Sequence, residues 1–199
     1  HATFSGYDNE PSRRLSRQLC QLLGNEDVRK LLFCGSDTEV NETALKLARH
    51  YWKLQGRTQK THVISLRGSH HGYHFASVAA SDNPFAQSVC APGIPDFSMV
   101  VGPIDFIQGA ELAPEATERI CEAIEERLRQ LGRGRWAALI AEPVQGPAGV
   151  VVPPADLWPR LREICTRHDA LLIADEVITG FGRTGEWLAC RHWGVAPDL

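Results

Sequence analysis

The chain has 199 residues, 43% hydrophobic and 23% charged, which excludes disorder, collagen-like repeats and low complexity and leaves one globular domain, at most two. Lysine and arginine total 21 against 24 acidic residues; the net charge of −3 gives no field to attract nucleic acid or an anionic bilayer. The longest apolar runs, such as 137–141 and 170–174, are far short of the roughly 20 residues of a membrane helix, so a soluble chain with no nucleic-acid or membrane partner is expected. The row begins at His1 with no signal-like segment, as an internal piece of a longer reading frame would. Six cysteines at wide intervals, with no CxxC pair, argue against a zinc ribbon or a disulfide framework and fit a reduced, cytoplasmic protein whose thiols are small buried hydrophobes.

In chain order, Glu10 to Gly24 reads as a helix: Pro11 suits the first turn, Leu15, Leu19, Leu22 and Leu23 keep helical spacing, and Gly24 ends it. Leu31 to Cys34 reads as a buried strand. A long helix is expected from about Thr38 to Gln55, with Val40, Ala44, Leu47, Ala48 and Tyr51 on its inner face and Gly56 as its stop. The strand His62 to Leu66 follows, then a Gly/His-rich loop, a short helix over Phe75 to Ala80, and a loop holding Pro84, Pro92, Gly93 and Pro95. Ser98 to Val101 reads as a strand, and Pro114 to Leu131 as a charged helix with Ile120, Ile124 and Leu128 inside. The strand Trp136 to Ala141, a Pro/Gly loop, a helix from about Pro154 to His168 and the strand Ala170 to Ala174 complete the pass.

Strands with no polar alternation, each followed by a helix, are parallel strands covered on both faces. The expected fold class is therefore α/β: three layers, a mostly parallel sheet with helices on both faces. Such sheets bind ligands beyond the carboxyl ends of their strands. The unusual residues fall there: Ser36-Asp37-Thr38, His70-His71-Gly72, Glu142 and Asp175.

Gly35-Ser36-Asp37-Thr38 meets the start of the long helix, where free N–H groups and the helix dipole favour a phosphate; an ordinary N-cap is the alternative. Asp175 ends an apolar strand, where a carboxylate is costly without a positive partner. A bound cation resolves that cost; backbone capping or a pair with Arg183 is the structural alternative. His70, His71 and His74 invite a zinc reading, but the tight glycine-flanked loop makes joint ligation awkward, and a metal hydrolase ranks last.

The runs Phe33-Cys-Gly-Ser-Asp-Thr-Glu-Val-Asn-Glu-Thr-Ala-Leu-Lys-Leu-Ala-Arg49, Arg67-Gly-Ser-His-His-Gly72, Ala141-Glu-Pro-Val-Gln-Gly146 and Asp175-Glu-Val-Ile-Thr-Gly-Phe-Gly-Arg-Thr-Gly185 together resemble the class III (omega) aminotransferases, pyridoxal-phosphate enzymes of fold type I. The resemblance runs from end to end. It implies that the chain is part of a cofactor-binding large domain, 1–199. It also implies pyridoxal 5′-phosphate as cofactor, an amine or omega-amino acid donor, an oxo-acid acceptor such as pyruvate, and a homodimer. Ser36, Asp37 and Thr38 fall where the family binds the cofactor phosphate, His70 where an aromatic ring stacks on the pyridine, and Val177 on the opposite ring face. Glu142 falls near the substrate end, and Asp175 where a carboxylate pairs with the pyridine nitrogen and acts in catalysis.

Two positions depart from the pattern. Asp37 stands where the family usually has glycine, placing a carboxylate beside a dianion unless the side chain turns outward; His70 replaces a larger ring. Ile178, where ornithine- and 4-aminobutyrate-type members tend to carry Gln, resembles omega-amino acid or amine:pyruvate members. The family's Schiff-base lysine and small domain are expected to fall outside these 199 residues. The four lysines, Lys30, Lys46, Lys53 and Lys60, match no catalytic position and are expected to be solvated surface charges. The rival readings are a glutamate-semialdehyde-type aminomutase and a non-catalytic truncated or degenerate paralogue that serves as a binding or structural protein.

Overall fold

The computed structural model describes residues 9–24 and 30–199, and the chain divides into two compact units, 1–34 and 35–199. In the first, helix α1 (Glu10–Leu22) begins where the Asn9 side chain accepts the Ser12 N–H at 2.9 Å and Pro11 fills the first turn. The expected strand at 31–34 is not one: the segment is irregular, and Leu32 and Phe33 are exposed. A strand needs a neighbour for its N–H and C=O groups, and no described strand pairs with it.

The second unit is a three-layer α/β structure. Helix α2 (Asp37–Leu54) leads into β1 (His62–Leu66), followed by α3 (Phe75–Ala80), α4 (Pro84–Val89) and β2 (Phe97–Val100). A turn of 3-10 helix (Pro103–Phe106) and a two-residue hairpin, β3 (Ile107–Gln108) with β4 (Glu111–Leu112), come next. Then follow α5 (Ala116–Leu131), β5 (Trp136–Ala141), α6 (Leu157–Arg167), β6 (Leu171–Ala174) and a closing 3-10 turn (Ala189–Trp193). Helix α4, in a stretch expected to be loop, starts as the sequence allows: Asn83 accepts the Ala86 N–H at 3.0 Å and Pro84 occupies the first turn.

The four main strands are all parallel, in the order β2-β1-β5-β6. The residues alternate between two cores. Val63, Ala138, Ile140 and Ile173 meet Leu45 and Ala48 of α2 and Ala76 and Ala80 of α3. Ile64, Leu139, Ala141 and Leu172 meet Ile120, Ile124 and Leu128 of α5 and Leu161 and Ile164 of α6. Both faces are covered, which is why the strands carry no polar alternation.

The inner face of α2 is corrected. Thr38, Asn41, Leu45, Ala48 and Trp52 are buried, whereas Val40, Leu47 and Tyr51 are exposed. The buried stripe steps 41, 45, 48, 52, the spacing of one helix face, and Asn41 makes it hard to see because it places a polar residue inside. Lys60 is also corrected: it is buried, lying 3.8 Å from the Trp52 ring centroid and donating to the Asp169 carbonyl. Lys30, Lys46 and Lys53 are exposed as expected.

The chain leaves β1 in one direction to form β2, then returns past β1 to form β5 on its other side. The order therefore reverses between β1 and β5, and the crevice beyond their carboxyl ends is where an open α/β sheet accepts ligands. No described helix is long and apolar enough to cross a membrane.

Candidate active site

At that crevice the expected loops converge. Asp37, Asn41, His70, His71, Glu142 and Asp175 line one recess, with Val177 and Ile178 in its apolar wall. Ser36 and Thr38 do not line it: Ser36 caps α2 by accepting the Glu39 N–H at 3.2 Å, and Thr38 is buried against the glycine loop. A Cβ at Gly72, whose φ is +124°, would stand 2.7 Å from Thr38 Oγ1, so the close approach of this loop to α2 requires glycine.

Asp175 reaches the site because the ladder runs one residue past β6: its N–H donates to the Ala141 carbonyl at 2.8 Å. The residue is 6% exposed. Its Oδ2 accepts from Asn41 Nδ2 at 2.7 Å and bonds His71 Nδ1 at 2.8 Å; Asn41 also donates to the His71 carbonyl at 3.0 Å. Among the described residues, Oδ1 accepts only the Val177 N–H, at 3.2 Å. Burial pushes the Asp175 carboxyl up, but the His71 bond and field, the Val177 N–H and Asn41 outweigh it and hold the group below the ordinary carboxylate value. The site thus maintains a buried anion with one oxygen still able to accept a strong donor. Arg183 takes no part among these contacts.

Glu142, 7% exposed, is held by backbone: Oε1 accepts the His70 N–H at 2.8 Å and Oε2 the Gly146 N–H at 3.1 Å. Burial raises its pKa, more than the two N–H bonds and His71 lower it, and Asp175 adds to the rise. The two carboxyl groups of one recess are therefore pushed in opposite directions, which is how a site keeps one charged and makes the other easier to protonate.

His70 packs edge-on against Tyr73, with ring centroids 5.0 Å apart. His71, considered above only as a metal ligand, is instead the partner of Asp175, and its buried Nε2 has no hydrogen-bond partner among the described residues. Among those residues no three His, Cys, Asp or Glu are grouped to hold a metal ion. Asn41 was missed as a site residue; its signal is its place one helical turn beyond Asp37, on the same side of α2.

These residues suit a flat, cationic heteroaromatic ring bearing a phosphate: a buried anion with a free lone pair, imidazole and valine beside it, and a helix N-terminus in the same recess. A larger groove of about 850 Å³ along α5 and α6 shares no lining residue with this recess, and ion pairs such as Arg119–Glu122 and Arg167–Glu125 occupy much of its charge.

The family model of aminotransferase class-III matches residues 1–199. The chain belongs to the class III aminotransferase family. A putrescine–pyruvate aminotransferase of Pseudomonas aeruginosa is 40% identical over 87% of the chain, and a diaminobutyrate–2-oxoglutarate transaminase of Halomonas elongata 36% identical over 99%. The chain spans 38% and 43% of those two class III relatives, about two-fifths of their length. An amine transaminase from an uncultivated Pseudomonas species, solved in its PLP-bound form, superposes with a TM-score of 0.91 at 40% identity, covering all of this chain and 45% of that one. An (S)-enantioselective omega-transaminase from Thermomicrobium roseum gives 0.90 at 36% identity, covering 98% of this chain and 44% of that one.

Proposed function

We propose that this class III chain forms most of the cofactor-binding part of a pyridoxal-phosphate-dependent aminotransferase that moves an amino group from an amine or omega-amino acid to an oxo acid such as pyruvate. The observation that carries the reading is the buried, anionic Asp175 with Oδ1 open to a further donor. When bound, pyridoxal phosphate supplies an electron sink for the charge left as the substrate carbon loses its proton. Asp175 keeps a proton on the ring nitrogen; Asn41 and His71 keep Asp175 in place. His70 and Val177 confine the ring, and the first turn of α2, Ser36 to Thr38, receives the phosphate. Glu142 lies toward the substrate.

None of Lys46, Lys53 and Lys60 lines the recess, in keeping with a Schiff-base lysine elsewhere in the full-length protein. Tyr73, Val177, Ile178, Phe181 and Trp187 leave an apolar surface exposed around the site, which supports its burial by a second copy in a homodimer. A cytoplasmic location suits six free thiols, three of them buried. The putrescine–pyruvate relative supports an amine donor with pyruvate, and the solved amine transaminase supports an amine donor. The test is alanine formation from pyruvate by the full-length protein with putrescine, other diamines and beta-alanine as donors. Turnover with at least one donor is expected, together with its loss in Asp175→Ala; turnover with none of them, or its retention in the variant, contradicts the reading.

A further inference from the structure

The first turn of α2 already holds an anion. The Asp37 carboxylate accepts the Thr38 N–H at 2.7 Å through Oδ1. Of the neighbouring donors, Gly35 N–H goes to Glu39 Oε2 at 2.7 Å and Glu39 N–H to Ser36 Oγ at 3.2 Å, while Val40 N–H makes the first intrahelical bond, to the Ser36 carbonyl at 3.0 Å. A helix N-terminus offers its N–H groups and its dipole to one negative charge at a time. Independently, His71, which lines the same recess, keeps a fully buried Nε2 without a partner among the described residues.

We infer that Asp37 competes within the chain for the seat that the cofactor's phosphate takes, so that this protein gains little affinity from the phosphate group. The inference rests on the cofactor reading above and deepens it. An arriving phosphate dianion has two courses: it displaces the carboxylate from Thr38 N–H, or it binds beside a like charge. Asp37 is solvent-exposed, so its side chain can swing outward. That makes it a competitor and not a block. The Thr38 hydroxyl oxygen is turned to the glycine loop, where it accepts the Tyr73 N–H at 3.4 Å. The holding of the ring then depends mainly on Asp175, His70 and Val177, which act equally on phosphorylated and unphosphorylated forms.

The test compares pyridoxamine phosphate with pyridoxamine, which share the ring and carry no aldehyde, by isothermal titration calorimetry on the cofactor-stripped full-length protein. Asp37→Gly removes the carboxylate, and Asp37→Asn keeps the shape without the charge. The expected result is roughly a tenfold gain in affinity for pyridoxamine phosphate in Asp37→Gly, a smaller gain in Asp37→Asn, and pyridoxamine unchanged within about twofold. Inorganic phosphate should displace pyridoxamine phosphate at lower concentration in Asp37→Gly than in the wild type. Equal preference for the phosphorylated form in all three proteins overturns the inference and leaves the cofactor reading standing. Binding of neither ligand to any of the three overturns both.

Discussion

At the carboxyl ends of the strands Asp175 is almost fully buried and yet held below the ordinary carboxylate value by donors from three segments, α2, the loop after β1 and the turn after β6. At the amino ends burial prevails, although Asp96 opposes it at His62. His62, the first residue of β1, is driven from 6.5 to about 4 by burial, with Arg127 adding to the fall, and its Nε2 bonds Ser98 Oγ at 2.7 Å. Lys60, just before β1, is driven from 10.5 to about 8 by burial and by the neighbouring Arg57. At one end burial eases an imidazole and an ammonium toward their neutral forms, and at the other a buried carboxylate is held charged. Retaining a buried charge requires several committed hydrogen bonds, and their convergence on one carboxylate marks that end as the chemical one.

The largest effect expected from breaking this contrast is at Asp175. Asp175→Ala leaves one N–H of Asn41 Nδ2 and the His71 ring buried without an acceptor, and should lower unfolding free energy by about 4 kcal/mol in urea titrations without cofactor. A loss below about 1 kcal/mol would mean that the carboxylate is not engaged as described. A somewhat smaller effect is expected at the other end. The folded pKa of His62 lies below its unfolded value, so the unfolded chain binds more protons between about pH 4 and 6.5. Stability from this group is complete above 6.5 and falls by about 3 kcal/mol as the pH drops through that window. His62→Gln should flatten that part of the stability profile relative to the wild type; an unchanged slope would show that His62 charges without cost.

Much of this molecule was legible in its sequence. β1, α3 and β5 lie at their expected bounds because uninterrupted apolar runs between glycine, proline and polar turns allow few alternatives. Asp37, His70, His71, Glu142 and Asp175 line one recess, the last four because a parallel sheet brings its carboxyl ends together. What stayed hidden depends on contacts between distant segments. Asn41 reads as a surface polar residue until Asp175, 134 positions away, accepts its hydrogen bond. Lys60 reads as a solvated charge until the Trp52 ring and the Asp169 carbonyl close over it. The apolar segment 31–34 has the composition of a strand, but composition does not supply a pairing neighbour.

The central claim is that Asp175 keeps a proton on the cofactor's ring nitrogen. Its most direct test is ¹⁵N NMR of ring-labelled pyridoxal phosphate bound to the full-length protein, wild type and Asp175→Ala. The account predicts a protonated ring nitrogen in the wild type across neutral pH and an unprotonated one in the variant. An unprotonated nitrogen in the wild type, or the same protonated signal in both, would contradict it.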